Sequence, residues 1–230
     1  MDNEVKNGIS GAGLKWIAII TMLIDHSAMV YYQEISGMFH SMVPVWILRG
    51  IGRLAFPIFC FLLVEGYVHT GNKIKYGIRL FLFALISEIP FDLAVENSLI
   101  NQNAQNVFFT LLFGLIAISI LDTFRERQWI GGILACVVLF LADYLHTDYG
   151  GAGVLLIVGF YIFRNREKAC IFCAIVTLVL LGNLLEIAAL IAFIPIHWYN
   201  GDRGRQMKYF FYAFYPVHLF LLWGLHGGIR

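Results

Sequence analysis

Residues 14–32 read LKWIAIITMLIDHSAMVYY, an apolar run interrupted just past its centre by an acid and an imidazole, Asp25 and His26. A helix needs about 20 mostly apolar residues to cross a bilayer core, and this run supplies them. Working outward, eight further stretches of similar character follow. The sequence therefore predicts nine spans, at about 13–33, 43–69, 74–94, 105–122, 129–146, 150–164, 167–181, 183–199 and 208–226. Several are short, which predicts tilt or local thinning. The expected fold is all-α, a polytopic integral membrane helical bundle forming one domain over residues 1–230, with no fixed-period repeat and no linker to a second domain.

Composition points the same way. Of 230 residues 60% are apolar and only 13% charged, and a soluble domain of this size has too much surface to hide such a chain. A formal net charge of +1, with no basic stripe along one face, disfavours nucleic-acid binding. Cys60, Cys136, Cys170 and Cys173 all sit in apolar runs, so neither a disulfide framework nor a metal site is expected. The start, MDNEVKNGISGAG, lacks the basic-then-apolar order of a cleaved signal, and the first span is expected to be retained.

Basic residues gather in alternate connections, which orients a membrane protein. With the N-terminus in the cytoplasm, Lys6, Lys15, Lys73, Lys75, Arg79, Arg125, Arg127, Arg164, Arg166, Lys168, Arg203, Arg205 and Lys208 fall on the inner side. Arg230 falls on the outer side, while Arg49 and Arg53 lie within the second span. Outer connections carry Glu34, Glu88, Asp92, Glu96, Asp143 and Asp148. The expectation is a multi-pass protein of the inner or plasma membrane, N-terminus in and C-terminus out.

Ionisable groups at bilayer depth are costly unless paired or wet, so they mark candidate sites. His26 lies near the midplane beside Asp25. Arg49 and Arg53, four residues apart, project from one helical face and must meet anions: protein carboxylates such as Asp25 and Glu88, or a ligand phosphate or oxyanion. Pro57 is expected to bend that helix. Glu88 and Asp92 flank Pro90 at the outer end of the third span, and Asn106 and Thr110 enter the fourth from the same side. Asp143, His146, Asp148 and Tyr149 reach the outer surface, where solvation alone also explains them. Glu186 is a buried acid with no obvious partner. Arg203, Arg205 and Lys208 form an inner basic cluster suited to nucleotide phosphates, or simply a stop-transfer flank. Tyr212, Tyr215 and His218 share one face of the last span.

A neutral histidine supplies a general base, and arginines stabilise negative charge that grows on a carbonyl oxygen. Inner cations suit a phosphorylated donor, and outer acids (Glu88, Asp92, Asp143, Asp148) an acceptor. The arrangement predicts group transfer across the membrane.

The strings LKWIAIITMLIDH, RGIGRLAFPIFCFLLVEGYVHT, YGIRLFLFALISEIPFDL, NVFFTLLFGL, DYGGAGVL, WYNGDRG and KYFFYAFYPVHL resemble, in order and over nearly the whole chain, the TraX family. That family is linked to pilin acetylation and is similar to the transmembrane acyltransferase superfamily that includes the acyltransferase-3 proteins. The resemblance implies an acetyl-CoA-dependent integral membrane acyltransferase, with His26 as catalytic base and Arg49 and Arg53 as donor-site or oxyanion residues. Asp25 and His218 join the candidate catalytic set, and Arg79, Arg203, Arg205, Lys208 and Tyr215 the donor-binding set. Expected partners are membrane lipid, acyl-CoA and a peptide or glycan acceptor, with a homo-oligomer also compatible. Two rival classes use the same residues: a transporter relaying protons or binding an anion, and an assembly scaffold that tolerates replacement of every buried charge.

Overall fold

A computed structural model of the chain describes residues 7–101, 103–205 and 207–227, and all its regular elements are helical. In chain order they are α1 (Gly11–Val30), α2 (Tyr32–Phe39), α3 (Val43–Gly52), α4 (Ala55–His69), α5 (Lys73–Glu96), α6 (Val107–Thr123), α7 (Gln128–Tyr144), α8 (Gly150–Phe163), α9 (Glu167–Leu180), a 3-10 segment (Leu184–Ala192) running into α10 (Phe193–His197), and α11 (Lys208–Leu225). Gly11–Val30, Val43–His69 and Arg125–Tyr144 are long and apolar enough to cross a membrane, and Val107–Thr123, Gly150–Phe163 and Leu184–His197 are shorter apolar helices. At 24 residues α5 is long, but it carries Lys73, Lys75, Arg79, Glu88, Asp92 and Glu96. Lys6 and Arg230, used in the orientation argument, lie outside the described residues.

Helix starts follow local chemistry. Ser10 caps α1 by accepting from the Gly13 N–H at 3.2 Å, Asn72 caps α5, and Asn106 caps α6. The second expected span is two helices, α3 and α4, parted at Arg53–Leu54. Pro57 explains the position of the break. It has no N–H to offer the carbonyl four residues back, that of Arg53, and its ring crowds that carbonyl. Pro90 and Pro216, in contrast, sit within continuous helices. The eighth expected span is mostly 3-10, which rises about 2.0 Å per residue and so stretches a short segment further than an α-helix would.

α1 packs on α3, α4 and α11; α6 packs on α5, α7 and α8; and the 3-10 segment rests on α3, α4 and α9. Glycines set the closest approaches. A Cβ at Gly52 would lie 2.0 Å from the Asp25 Cβ, one at Gly114 2.2 Å from Ile157 Cδ1, and one at Gly159 2.2 Å from Cys173 Sγ. The bundle has two distinct ends. At one, the N-terminal segment pairs with the loop after α10 (Ile9 N–H to Trp198 O, 2.8 Å), and Lys73 meets Asp122 at 2.5 Å. At the other, the Gln105 N–H reaches His146 O at 2.9 Å and His226 meets Glu34 at 3.0 Å. Large apolar side chains such as Ile86, Trp129, Phe140, Phe172 and Val179 point outward, as a lipid-facing surface requires.

Candidate active site

The first cluster forms where α1 crosses α3. Because Gly52 carries no side chain, Asp25 can lie directly against α3. Its Oδ2 accepts from Arg53 NH2 at 2.6 Å, and its Oδ1 sits 3.2 Å from Arg49 Nε without an aligned hydrogen bond. Arg53 NH1 donates to Glu186 Oε1 at 3.0 Å and to the Tyr149 hydroxyl at 3.3 Å, while its Nε reaches back to Arg49 O at 3.4 Å. Tyr149 is itself fixed by stacking on Phe56, centroids 3.6 Å apart. Arg53 is thus a half-buried hub between two buried carboxylates from different elements. Arg49 pairs with Asp25 through Nε, and no hydrogen bond from its side chain is made among the described residues.

One residue along α1, and so about 100° round the helix, His26 faces α11. Its Nδ1 lies 2.6 Å from His218 Nε2 with the rings nearly parallel, at 5° and centroids 4.9 Å apart. His218 Nδ1 is 2.7 Å from the Phe214 carbonyl, which can only accept. For neutral rings this fixes the tautomers: His218 carries its proton on Nδ1, His26 donates from Nδ1 to His218 Nε2, and His26 Nε2 keeps an unshared pair. The second imidazole therefore aims the first. Tyr215 stands edge-on to both rings, centroids 5.8 Å from each.

A cavity of about 280 Å³ leads towards this pair from the basic end of the bundle. Lys15, Arg79, Arg203 and Lys208 line it, against a single lining carboxylate, Glu65, and its inner reach is walled by Met22, Val107, Phe108 and Tyr215. Neither His26 nor His218 lines the cavity; Met22, on its wall, is one helical turn from His26, and Tyr215, also on its wall, stands against both imidazoles. Lys15 lies within electrostatic reach of Arg203 and Lys208, and Lys208 within that of Arg79. Such a ring of mutually repelling cations favours an anion between them.

A family profile described as "TraX protein" matches residues 10–226. The chain belongs to the TraX family. It is 31% identical over 237 residues to the "Probable fimbrial assembly protein FimC, serogroup H1" of Dichelobacter nodosus, covering 91% of this chain and 92% of that one. It is also 26% identical over 170 residues to an uncharacterised protein of Rickettsia prowazekii (strain Madrid E), covering 71% of this chain and 61% of the relative. No solved structure matches it significantly.

In this TraX-family chain the residues singled out from sequence fall into three groups. His26 and His218 meet; Asp25, Arg49 and Arg53 meet; and Arg79, Arg203, Lys208 and Tyr215 share the cavity wall. Arg49 and Arg205 do not line the cavity. Of the four acids assigned to an acceptor, three hold local structure. Glu88 is bound by Asn106 Nδ2, Asp92 Oδ2 accepts from the Asn101 N–H at 2.8 Å, and Asp143 Oδ1 accepts from the Gly151 N–H at 2.6 Å. Asp148 lies nearer the guanidinium cluster. Although its side chain keeps access to solvent, protein packed around the carboxyl pushes its pKa up to about 6, against the pull of Arg53. Glu186, unassigned from sequence, proves to be the second carboxylate on Arg53, the place expected of Glu88. Lys15, which the sequence marks only as an orienting charge, lies on the cavity wall. Among the described residues no group of three or more His, Cys, Asp or Glu side chains is disposed to hold a metal ion.

Proposed function

We propose that this protein is an integral membrane acetyltransferase, taking the acetyl group of cytosolic acetyl-CoA and passing it to an amine or hydroxyl on a peptide or glycan acceptor. One observation carries the reading: the wall of a cation-lined cavity includes Tyr215, which stands against a pair of histidines, one of them orienting the other. Lys15, Arg79, Arg203 and Lys208 suit the phosphates of the donor at the mouth, and the apolar inner wall suits its thioester arm. His26 Nε2 takes the acceptor's proton, and His218 holds the tautomer that makes this possible. Arg53, engaged by Asp25, Glu186 and Tyr149, anchors α3 to α1 and to the 3-10 segment. Arg49, whose side chain makes no hydrogen bond among the described residues, is the arginine left for an anionic group.

The segregation of the two ends supports the nine-span topology, with the basic end in the cytoplasm and the site reached from both faces. The name of the D. nodosus relative concerns fimbrial assembly, which favours a fibre-subunit peptide as acceptor.

The test is acetyl transfer by the purified protein in lipid nanodiscs, supplied with radiolabelled acetyl-CoA and a panel of peptide and glycan acceptors. His26→Ala is expected to insert and fold as the wild type does while losing transfer by about 100-fold or more, 100-fold being the lower end of what general-base catalysis contributes. A fully active His26→Ala protein, or a wild type that leaves the thioester intact, refutes the proposal and favours a transporter.

A further inference from the structure

The cation-lined cavity has one feature that anion binding does not explain. Its wall carries a single carboxylate, Glu65 of α4. A negative charge there weakens the hold of Lys15, Arg79, Arg203 and Lys208 on a phosphate unless one of them neutralises it. None does: among the described residues its one ion-pair contact is with His69, at 3.8 Å. Even that contact is loose, because His69 Nδ1 is aimed at the Glu65 carbonyl, 2.9 Å away, and not at the carboxylate. A glutamine would keep the volume and spare the opposing charge, so the carboxylate calls for a reason.

Its surroundings hold it in place and leave it room to accept. The Tyr199 hydroxyl bonds to Glu65, and the Tyr199 ring is fixed edge-on to Phe61, centroids 5.2 Å apart. One such bond uses one of about four lone-pair positions on a carboxylate, so Glu65 can accept again from a group inside the cavity. One turn further along α4, about 6 Å on the helix axis, the His69 carbonyl accepts from Arg203 NH2 at 2.8 Å and so fixes a cation beside the acceptor. Flat surfaces complete the wall. Tyr76, Tyr199 and Tyr212 all line the cavity. Tyr212 is stacked on Phe83 at 5.0 Å, and Tyr76 packs directly on α4 because Gly66 has no side chain: a Cβ there would lie 2.9 Å from the Tyr76 hydroxyl.

We infer that Glu65 is a specificity-determining residue that reads the base of the donor, accepting a hydrogen bond from the exocyclic amino group of adenine. This deepens the acetyl-CoA reading and rests on it. Cytosolic thioesters differ beyond their phosphates: coenzyme A ends in adenosine, whereas a phosphopantetheine arm on a carrier protein presents no base. Cations alone do not tell these apart. A carboxylate accepts from an amino group and is repelled by a carbonyl oxygen in the same place. Aromatic side chains offer a flat base a stacking surface. A site built to hydrogen-bond an N–H rejects the analogue that lacks it, because its own polar group is then left unpaired.

Acetyl-CoA in which hypoxanthine replaces adenine tests this, since it keeps the phosphates and the arm and puts a carbonyl oxygen where the amino group was. In nanodiscs with a saturating acceptor, the wild type is expected to prefer the adenine donor by roughly 10- to 100-fold in kcat/KM, with the difference carried by KM. In Glu65→Gln the amide accepts from adenine through Oε1 and donates to hypoxanthine through Nε2, so the preference is expected to fall below about threefold. A purely structural Glu65 would shift both donors alike and leave their ratio unchanged. Tyr199→Phe, which loosens the carboxylate without removing it, is expected to lower the preference by about threefold or more and gives a second reading of the same ratio. A wild type that uses both donors equally, a preference confined to kcat, or full preference in either variant overturns the base reading and leaves acetyl transfer standing. A wild type that consumes neither donor overturns both.

Discussion

Arg53 shows what a single side chain does here. Its planar fork meets Asp25 on α1 and Glu186 on the 3-10 segment at once, at 2.6 and 3.0 Å. Removing it strands two buried carboxylates, and breaking a buried pair in this way costs about 3–5 kcal/mol. Arg53→Met is therefore expected to lower the thermal midpoint sharply, read by intrinsic fluorescence in nanodiscs, and Arg53→Lys to recover only part, since an ammonium lacks the fork. Arg49→Met is expected to cost far less, because Asp25 keeps Arg53. Equal losses from the two Met variants would mean that the hub assignment is wrong. At this scale the sequence was legible wherever cost alone marked a residue: Asp25, His26, Arg49, Arg53 and His218 stand out as ionisable groups in apolar runs. Partnership was not legible. Glu88, one of the anions the sequence offers the arginines, is held by Asn106, the cap of α6, and Glu186, more than 130 positions away in sequence, takes that place. Spacing within one helix cannot report which distant helix lies across the gap.

At the scale of elements, the crossing of α1 with α3 depends on one missing side chain. A Cβ on Gly52 would fall 2.0 Å from Asp25 Cβ and 2.9 Å from its Cα, and that backbone atom has no room to yield. Gly52→Ala is expected to force α3 away, breaking the ion pair of Arg49 with Asp25 while leaving the chain inserted. Acetyl transfer should fall at least tenfold and the thermal midpoint should drop; a variant with wild-type values for both would show that the crossing adjusts freely. Sequence gave helix positions well because an apolar run of span length is a strong signal, and Pro57 announced a bend. It did not announce where the bend falls, four residues earlier at the carbonyl the proline cannot serve. Nor did it reveal that residues 184–192 form a 3-10 helix, because period alone barely separates 3.0 from 3.6 residues per turn over so short a run.

For the whole molecule, the separation of charge between the two ends is the feature that ties architecture to chemistry. The cavity with Lys15, Arg79, Arg203 and Lys208 opens from the end that also holds Lys73, Arg125 and Arg127. A donor made in the cytosol reaches it only if that end faces the cytoplasm. Membrane-impermeant maleimide tests this directly on a background in which Cys60, Cys136, Cys170 and Cys173 are replaced by alanine or serine. Cysteines placed at Arg127, Arg166 and Asn200 are expected to label only after permeabilisation, and those at Gln33, Asn101 and His146 on intact cells. Alternation of this kind through the chain requires an odd number of crossings and would bring the proposed donor, acetyl-CoA, to the cationic mouth. Labelling of Arg166→Cys from outside would invert the bundle, place the cations opposite the thioester supply, and leave the histidine pair without a donor.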